Sequence, residues 1–325
     1  MSGPSVWALV TGTSAVDLRG VSRPLSLVLE GIVQTEVVQH CLVCGCTELE
    51  VVDKDNALNS CRSCKFVFDS PRPTVEELIT FYSKFGQYDD WLEAGEARDR
   101  LWVTRVQKML PTRRRGNLLD VGTGIGQFLH HAKPYFDDVY GTEVSSSAIE
   151  IARSRYGLDV FEGKLEDLQF KQKFDNITVF HVLEHVPDPR QLVDHCFELL
   201  NPAGMLYIAV PNELRSALRA TKDRLGRLGI PRYRSTQRLG IPRIRLDGSM
   251  GEIHLSHFRE ESLQLLLQRA GFVVVEAGLD PYSVATGHRG LIDKSLLRVG
   301  NVVKRVTGVN IYDAIWMAAV KPVTS

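Results

Sequence analysis

"LLDVGTGIGQF", Leu118 to Phe128, decides the fold. A short apolar run passes into glycines at 122, 124 and 126, and the chain then takes up helical spacing in GQFLHHAKPY. Strand, glycine turn and helix in that order let a ligand approach the bare backbone. A dinucleotide fingerprint requires G-x-G-x-x-G, with a third small residue that lets the helix start reach a pyrophosphate; here Gln127 stands in that place. The tighter D-x-G-x-G-x-G, with Asp120 ahead of Gly122, Thr123, Gly124 and Gly126, suits a ligand with no phosphate to cradle. Glu143, just before Val144, ends the next expected strand and puts a carboxylate where it can accept from both hydroxyls of a ribose.

Outward from that stretch, strand-like and helix-like segments alternate: DDVYGTEV, SSSAIEIARSRY, FDNITVFHV, DPRQLVDHCFELL and GMLYIAVPN. The alternation predicts an α/β domain whose parallel sheet is covered by helices on both faces, with ligands outside the carboxyl ends of the strands. A phosphate-free adenosine there points to S-adenosylmethionine. Between Glu213 and Met250 the pattern breaks. That segment holds an internal duplication, RLGIPRYR at 227–234 and RLGIPRIR at 238–245, and carries nine arginines and one lysine against Glu213, Asp223 and Asp247. The order then resumes with REESLQLLLQRAGFVVVEAG, a basic amphipathic stretch LIDKSLLRVGNVVKRV, and a last apolar strand, AIWMAAVKP. Upstream, TVEELITFYSKF and Glu96–Leu110 read as helices, and Pro111 with Arg113–Arg115 marks a boundary.

Over 325 residues, 39 basic side chains balance 39 acidic ones, so any preference for nucleic acid or an anionic membrane has to come from a local patch. No apolar run has the length of a membrane span, and the amino terminus lacks a basic start and a signal-like core. With four of six cysteines in C-x-x-C pairs, which suggest metal rather than secreted disulfides, the expected location is the cytoplasm.

Taken together, LLDVGTGIGQFL, VYGTEVS, FEGKLEDLQF, FDNITVFHVLEHVPDP and LLNPAGMLYIAVPN resemble class I S-adenosylmethionine-dependent methyltransferases in order and spacing. The resemblance is close over Arg114–Asn212 and looser from Ile253. It implies a Rossmann-like class I methyltransferase sheet with S-adenosylmethionine as cofactor. Gly122 and Gly124 would pack against the methionine part, Glu143 would bind the ribose, Lys164, Leu165 and Glu166 would border the adenine, and His181 would lie beside the cofactor. Relatives usually carry an acid where Lys164 stands, and lysine cannot accept from the adenine amino group; Glu166 or a backbone carbonyl is left to replace it.

Cys41-x-x-Cys44 and Cys61-x-x-Cys64 have the spacing of a closed four-thiolate zinc site, structural rather than catalytic. Four thiols without metal are the alternative, Cys46 competes with Cys44 as a ligand, and Cys196 reads as a core residue. The expected organisation is an extension over 1–40 without an assigned role, a small zinc ribbon over 41–70, a helical connector over 71–112, and a methyltransferase domain over 113–325 with a basic lid insert at 213–250. A ribbon in front of such a domain is similar to sugar-nucleotide C-methyltransferases and to relatives from polysaccharide and natural-product pathways. Some ribosomal-RNA methyltransferases also carry an N-terminal zinc module.

Methyl transfer from a sulfonium is an in-line displacement, in which orientation is worth about 7–11 kcal/mol and a general base adds roughly 10² to 10⁴ in rate. Candidate bases are His185, after the fourth strand, and His254 in GEIHLSHF, with Glu252 as an orienting acid. The second resembles the glutamate–histidine–leucine element of sugar C-methyltransferases, with Ile253 in the usual acid position. A helix-capping His185 and a packing His254 are the plain alternatives. His257, His130 and His131 are assigned to surface or core, and Tyr82 and Tyr88 to the acceptor pocket or to helix packing. The insert's basic residues suit a diphosphate, an RNA backbone or an anionic bilayer, with a solvated loop as the plain alternative, and Tyr233 as its lone aromatic disfavours RNA. The expected function is methyl transfer to oxygen or carbon of a small molecule, a sugar, sugar nucleotide or glycan or natural-product intermediate, phosphorylated and lipid-linked forms included. An RNA methyltransferase and a non-catalytic cofactor-binding partner protein are the rivals.

Overall fold

The computed structural model describes residues 34–54, 57–83, 88, 92, 95–214, 221, 224–225, 228, 241, 243–246, 250, 252–282 and 287–323. The extension up to residue 33 and most of the arginine-rich insert, Tyr233, all but Leu228 of the first duplicated arm and half of the second included, lie outside them.

The cysteine-bounded segment folds as a short meander. β1 (Thr35–Glu36) pairs with β5 (Arg72–Pro73), and between them β2 (Leu49–Asp53), β3 (Leu58–Cys61) and β4 (Val67–Asp69) run antiparallel. Helices follow at Val75–Ser83 and Gly95–Met109, close to the expected bounds.

The main sheet is built from β6 (Leu118–Val121), β7 (Val139–Glu143), β8 (Asp159–Glu162), β9 (Phe174–Phe180), β10 (Leu200–Pro211), β12 (Val273–Leu279) and β13 (Ala314–Val320). Their order is β12-β13-β10-β9-β6-β7-β8. β8, β7, β6, β9 and β10 are parallel, whereas β13 lies antiparallel between β10 and β12, so the sheet is mixed rather than wholly parallel. β6 and β9 sit centrally as continuous buried runs, the pattern of strands covered on both faces. The chain builds outward from β6 to β8 and then returns to β9 on its other side, so a switch point falls at the carboxyl ends of β6 and β9. Asp188 caps the helix Pro189–Leu199 by accepting from the amides of Arg190 (2.9 Å) and Gln191 (3.0 Å), with Pro189 at the first turn.

One strand falls where no periodicity marks it. β11 (Ser256–His257) adds to β4, completing a sheet of order β11-β4-β3-β2. Phe66 stacks on Phe68 and meets Phe258 at 5.2 Å between centroids, so the cysteine module shares one core with the main sheet.

Candidate functional site

After β6 the chain enters the left-handed region at Gly122, Gly124 and Gly126, with φ of 69°, 57° and 81°. Side chains are strained there, and a Cβ on Gly122 would also stand 2.4 Å from Val182 Cγ2. Glu143, at the end of β7, ties this turn to the second strand. Its Oε2 accepts from the Gly124 amide (2.8 Å) and its Oε1 from the amides of Val144 (2.7 Å) and Ser145 (3.0 Å).

A cavity of about 250 Å³ opens beyond these strand ends. Glu143 and Val144 form one wall, Lys164, Leu165 and Glu166 another, and Tyr82, His185 and Glu252 its far end. Lys164 turns its ammonium toward Asp167 (3.2 Å). A second chamber of about 110 Å³ shares Gly122, Gly124, His181 and Glu252 with the first and is bounded by Arg98, Asp120, Thr123 and Gln127. Asp120 is buried, and burial pushes its carboxyl up to about 7 although Thr178 Oγ1 donates to it at 2.6 Å. Arg98 Nε donates to Gln127 Oε1 (3.0 Å). Below them Arg105, fully buried, donates to both oxygens of Asp280 (3.0 and 2.5 Å) and lies against Trp102, Phe180 and Tyr282.

Of the two nominated histidines, His185 lines the larger cavity; His254 does not line it and packs behind His185, the ring centroids 4.9 Å apart. His185 Nδ1 donates to the Ile253 carbonyl (2.7 Å), and the Tyr82 hydroxyl stands 3.0 Å from the same nitrogen. Burial holds the His185 imidazole below its ordinary range. For His254, burial acts the same way, but Glu213 and Glu252 outweigh it and lift the ring to about 10. The hydrogen-bonding acid of His254 is Glu213 (3.1 Å to Nδ1), whereas the nominated Glu252 stands 3.8 Å from Nε2. His181, at φ 56°, points Nδ1 at Glu184 Oε1 (3.3 Å) and Nε2 at Asp280 (3.6 Å).

His257 is not a plain core residue. It is fully buried in β11, with Nδ1 2.5 Å from Glu213 and Nε2 2.9 Å from Asp69 at the end of β4. Burial opposes the charged ring, but the two acids raise it to about 9. Glu184, Glu213 and Arg98 escaped nomination although their surroundings were informative. Glu184 lies inside the HVLEHV stretch between His181 and His185, Glu213 follows a strand end, and Arg98 and Arg105 share one helix face at a spacing of seven.

The four thiols of Cys41, Cys44, Cys61 and Cys64 lie within 4.8 Å of one another, and Cys46 is outside the set. Cys41–Cys64 and Cys44–Cys61 Sγ distances are 3.5 Å, too long for disulfides and close to the edge of about 3.8 Å in a tetrahedron with metal–sulfur bonds of about 2.3 Å. Each knuckle ends in a left-handed residue, Gly45 (φ 75°) or Lys65 (φ 58°). In both, that residue's amide returns to the first cysteine carbonyl, at 2.8 and 2.9 Å. The donor set and its geometry fit zinc.

Residues 94–277 match a family model described as a methyltransferase domain. An uncharacterised protein of Methanocaldococcus jannaschii is 30% identical over 134 residues, 41% of this chain and 62% of that protein. The ubiquinone biosynthesis O-methyltransferase of Coxiella burnetii is 30% identical over 148 residues, 42% of this chain and 62% of that enzyme. The chain thus spans less than two thirds of these curated relatives. Among solved structures, the magnesium protoporphyrin IX methyltransferase of Synechocystis, with bound SAH, is similar at a TM-score of 0.49 and 14% identity, over 76% of this chain and 100% of that one.

Proposed function

Because this chain belongs to the methyltransferase-domain family, we propose that it transfers the methyl group of S-adenosylmethionine to a small-molecule acceptor. The observation that carries the reading is the meeting of two chambers at the glycine turn. The larger supplies a carboxylate for a ribose at Glu143 and a mixed wall for adenine at Lys164–Glu166, where Glu166 is free of the Lys164–Asp167 pair. The smaller carries both signs of charge that a zwitterionic amino-acid tail needs, Arg98 for its carboxylate and Asp120 for its ammonium. Bound there, the cofactor would supply an electrophilic methyl carbon whose bond to sulfur breaks, leaving the electron pair on sulfur, as an acceptor atom takes it.

The acceptor is assigned to the far end of the larger cavity, beside Tyr82, His185 and Glu252, with His254 packed against His185. Enclosure by the helix Val75–Ser83 suits a small molecule better than an RNA strand, which requires an open groove. A sugar or sugar-bearing metabolite is the acceptor class we assign, on the likeness of the Glu252–Leu255 segment to the sugar C-methyltransferase element. The cysteine module is assigned a structural zinc ion held by Cys41, Cys44, Cys61 and Cys64.

Calorimetry of the full chain with S-adenosylhomocysteine tests the cofactor assignment. Expected are one site per chain and a loss of roughly tenfold or more in affinity for Glu143→Ala, the effect of removing a charged hydrogen-bond acceptor. No heat with that ligand, or NADH binding in its place, rejects the reading.

A further inference from the structure

Resting on the methyl-transfer reading, we propose that Glu184, His185 and His254 form a divalent-cation site that holds an oxygen of the acceptor beside the cofactor cavity. One ligand atom from each residue lies within 4.8 Å of the other two, close enough for one ion to bridge after small side-chain rotations. The Glu184 side chain is 2% exposed, and neither carboxylate oxygen has a hydrogen-bond partner. The nearest imidazole nitrogens are His181 Nδ1 at 3.3 Å, without hydrogen-bond geometry, and His185 Nε2 at 3.8 Å. A carboxylate buried in that way costs several kcal/mol unless a charge compensates it.

The histidines are prepared as ligands. Metal-binding imidazoles characteristically tie their second nitrogen to a carbonyl or carboxylate, and here His185 Nδ1 is tied to the Ile253 carbonyl and His254 Nδ1 to Glu213. The Nε2 atoms are left to share an ion with Glu184, in place of a proton on His254. Glu252, 3.8 Å from His254 Nε2, lines both chambers, so the open side of the site faces the cofactor. Two imidazoles and one carboxylate suit Mn²⁺, Fe²⁺ or Zn²⁺ and leave positions for a chelating acceptor such as a sugar diol. A coordinated hydroxyl ionises more readily. Its oxygen bonds to the methyl carbon as the carbon–sulfur bond breaks onto sulfur, and its proton passes to Glu252 or water.

The test uses Mn²⁺ alone as probe, added to the full chain with its ribbon filled by zinc, with free Mn²⁺ read by electron paramagnetic resonance. Expected is one Mn²⁺ per chain, bound at least about tenfold more weakly by Glu184→Gln and by His254→Ala. Retained heat with S-adenosylhomocysteine shows that each variant is folded. No uptake by the wild type, or undiminished uptake by both variants, overturns the site. A chain that takes up Mn²⁺ but gives no heat with S-adenosylhomocysteine overturns the methyl-transfer reading and leaves the cation site standing.

A separate surface carries a second inference. In the helix Gly287–Thr307, Leu291, Ile292, Leu296, Val299, Val302 and Val306 are all exposed. At 100° per residue they fall within one arc of about 140°. Gly300, just past the arc's edge at Leu296, is buried on the inward side, where a Cβ would stand 2.7 Å from Leu279 Cδ2. Lys294, Arg298 and Arg305, also exposed, border the apolar arc on one side. The geometry points to an anionic bilayer as the occupant, because a basic-edged apolar face lies stably at a charged lipid surface. No helix among the described residues is long and apolar enough to cross one. The full chain is expected to sediment with vesicles containing phosphatidylserine and not with phosphatidylcholine alone. Val302→Asp, at a solvent-facing position, should weaken this at least about tenfold. No sedimentation, or a dimer in solution that Val302→Asp dissociates, overturns it.

Discussion

Replacing Asp280 by asparagine is expected to destabilise the fold by about 3–5 kcal/mol, the penalty for leaving a buried charge without its partner. Arg105 and Asp280 are both fully buried and joined by two hydrogen bonds, and burial, which alone would raise the acid, is outweighed by Arg105 and His181, which hold it at about 2. Asparagine keeps the shape and one acceptor but removes the charge. The guanidinium then faces the rings of Trp102 (4.8 Å), Phe180 (5.1 Å) and Tyr282 (5.6 Å). A desolvated cation–π contact returns about 2 kcal/mol, which does not cover the loss. Urea unfolding of the wild type, Asp280→Asn, Arg105→Met and the double variant closes a cycle. The double variant should recover most of the single-variant loss, because it buries no lone charge. A cost below about 1 kcal/mol for Asp280→Asn, or a double variant as unstable as the sum of the singles, refutes the reasoning.

Asp120 gives a pH dependence of defined sign. Its folded value near 7 lies above the unfolded range near 3.8, so its contribution is complete below about pH 4 and is lost as pH rises through about 7. The loss amounts to about 4 kcal/mol, and urea melts should show Asp120→Asn lacking it; parallel pH profiles reject the assignment. Asp69→Asn breaks the outer end of the Asp69–His257–Glu213–His254 chain and should lower kcat about tenfold while S-adenosylhomocysteine affinity stays put. An equal fall in both would mean general unfolding instead. Cys61→Ser should lose one zinc per chain by atomic emission and lower the melting temperature of the whole chain, since Phe66 and Phe68 pack into the shared core. An unchanged melt would show the ribbon to be independent.

How much of this is legible in the sequence depends on whether the signal is local. The glycine turn, β6, β9 and β13 are continuous apolar runs or backbone punctuation, and both can be read without knowing what packs against them. β8 is harder, because on this sheet edge only Val160 of its four residues is buried. The direction of β13 leaves no mark in its composition, since a strand covered on both faces is equally apolar either way. Side-chain partners are hardest of all: Arg105 and Asp280 are separated by 175 positions, and His257 and Asp69 by 188. Residue types at the site can be nominated from motifs, as His185 and His254 were. Which acid holds His254 is a matter of tertiary distance, and Glu213 displaces Glu252 for that reason.

The cysteine module lies outside both chambers, yet the geometry of the site depends on it. β4 is the outgoing strand of the second knuckle, and its free edge is what makes Ser256 and His257 a strand at all. On the other side of the same segment, the Glu184 carbonyl accepts from the amides of Leu255 (2.8 Å) and Ser256 (3.2 Å). Residues 254–257 are therefore clamped between the module and the loop that carries Glu184 and His185. A two-residue strand has little stability of its own, so its register is borrowed from β4, and β4 in turn is set by the knuckle Cys61–Cys64. Distances of a few ångströms among Glu184, His185 and His254 have to be held to within a fraction of an ångström for coordination or proton transfer. The zinc ion proposed for these four thiols would supply that rigidity from outside the chemistry, which a small meander of five short strands lacks on its own.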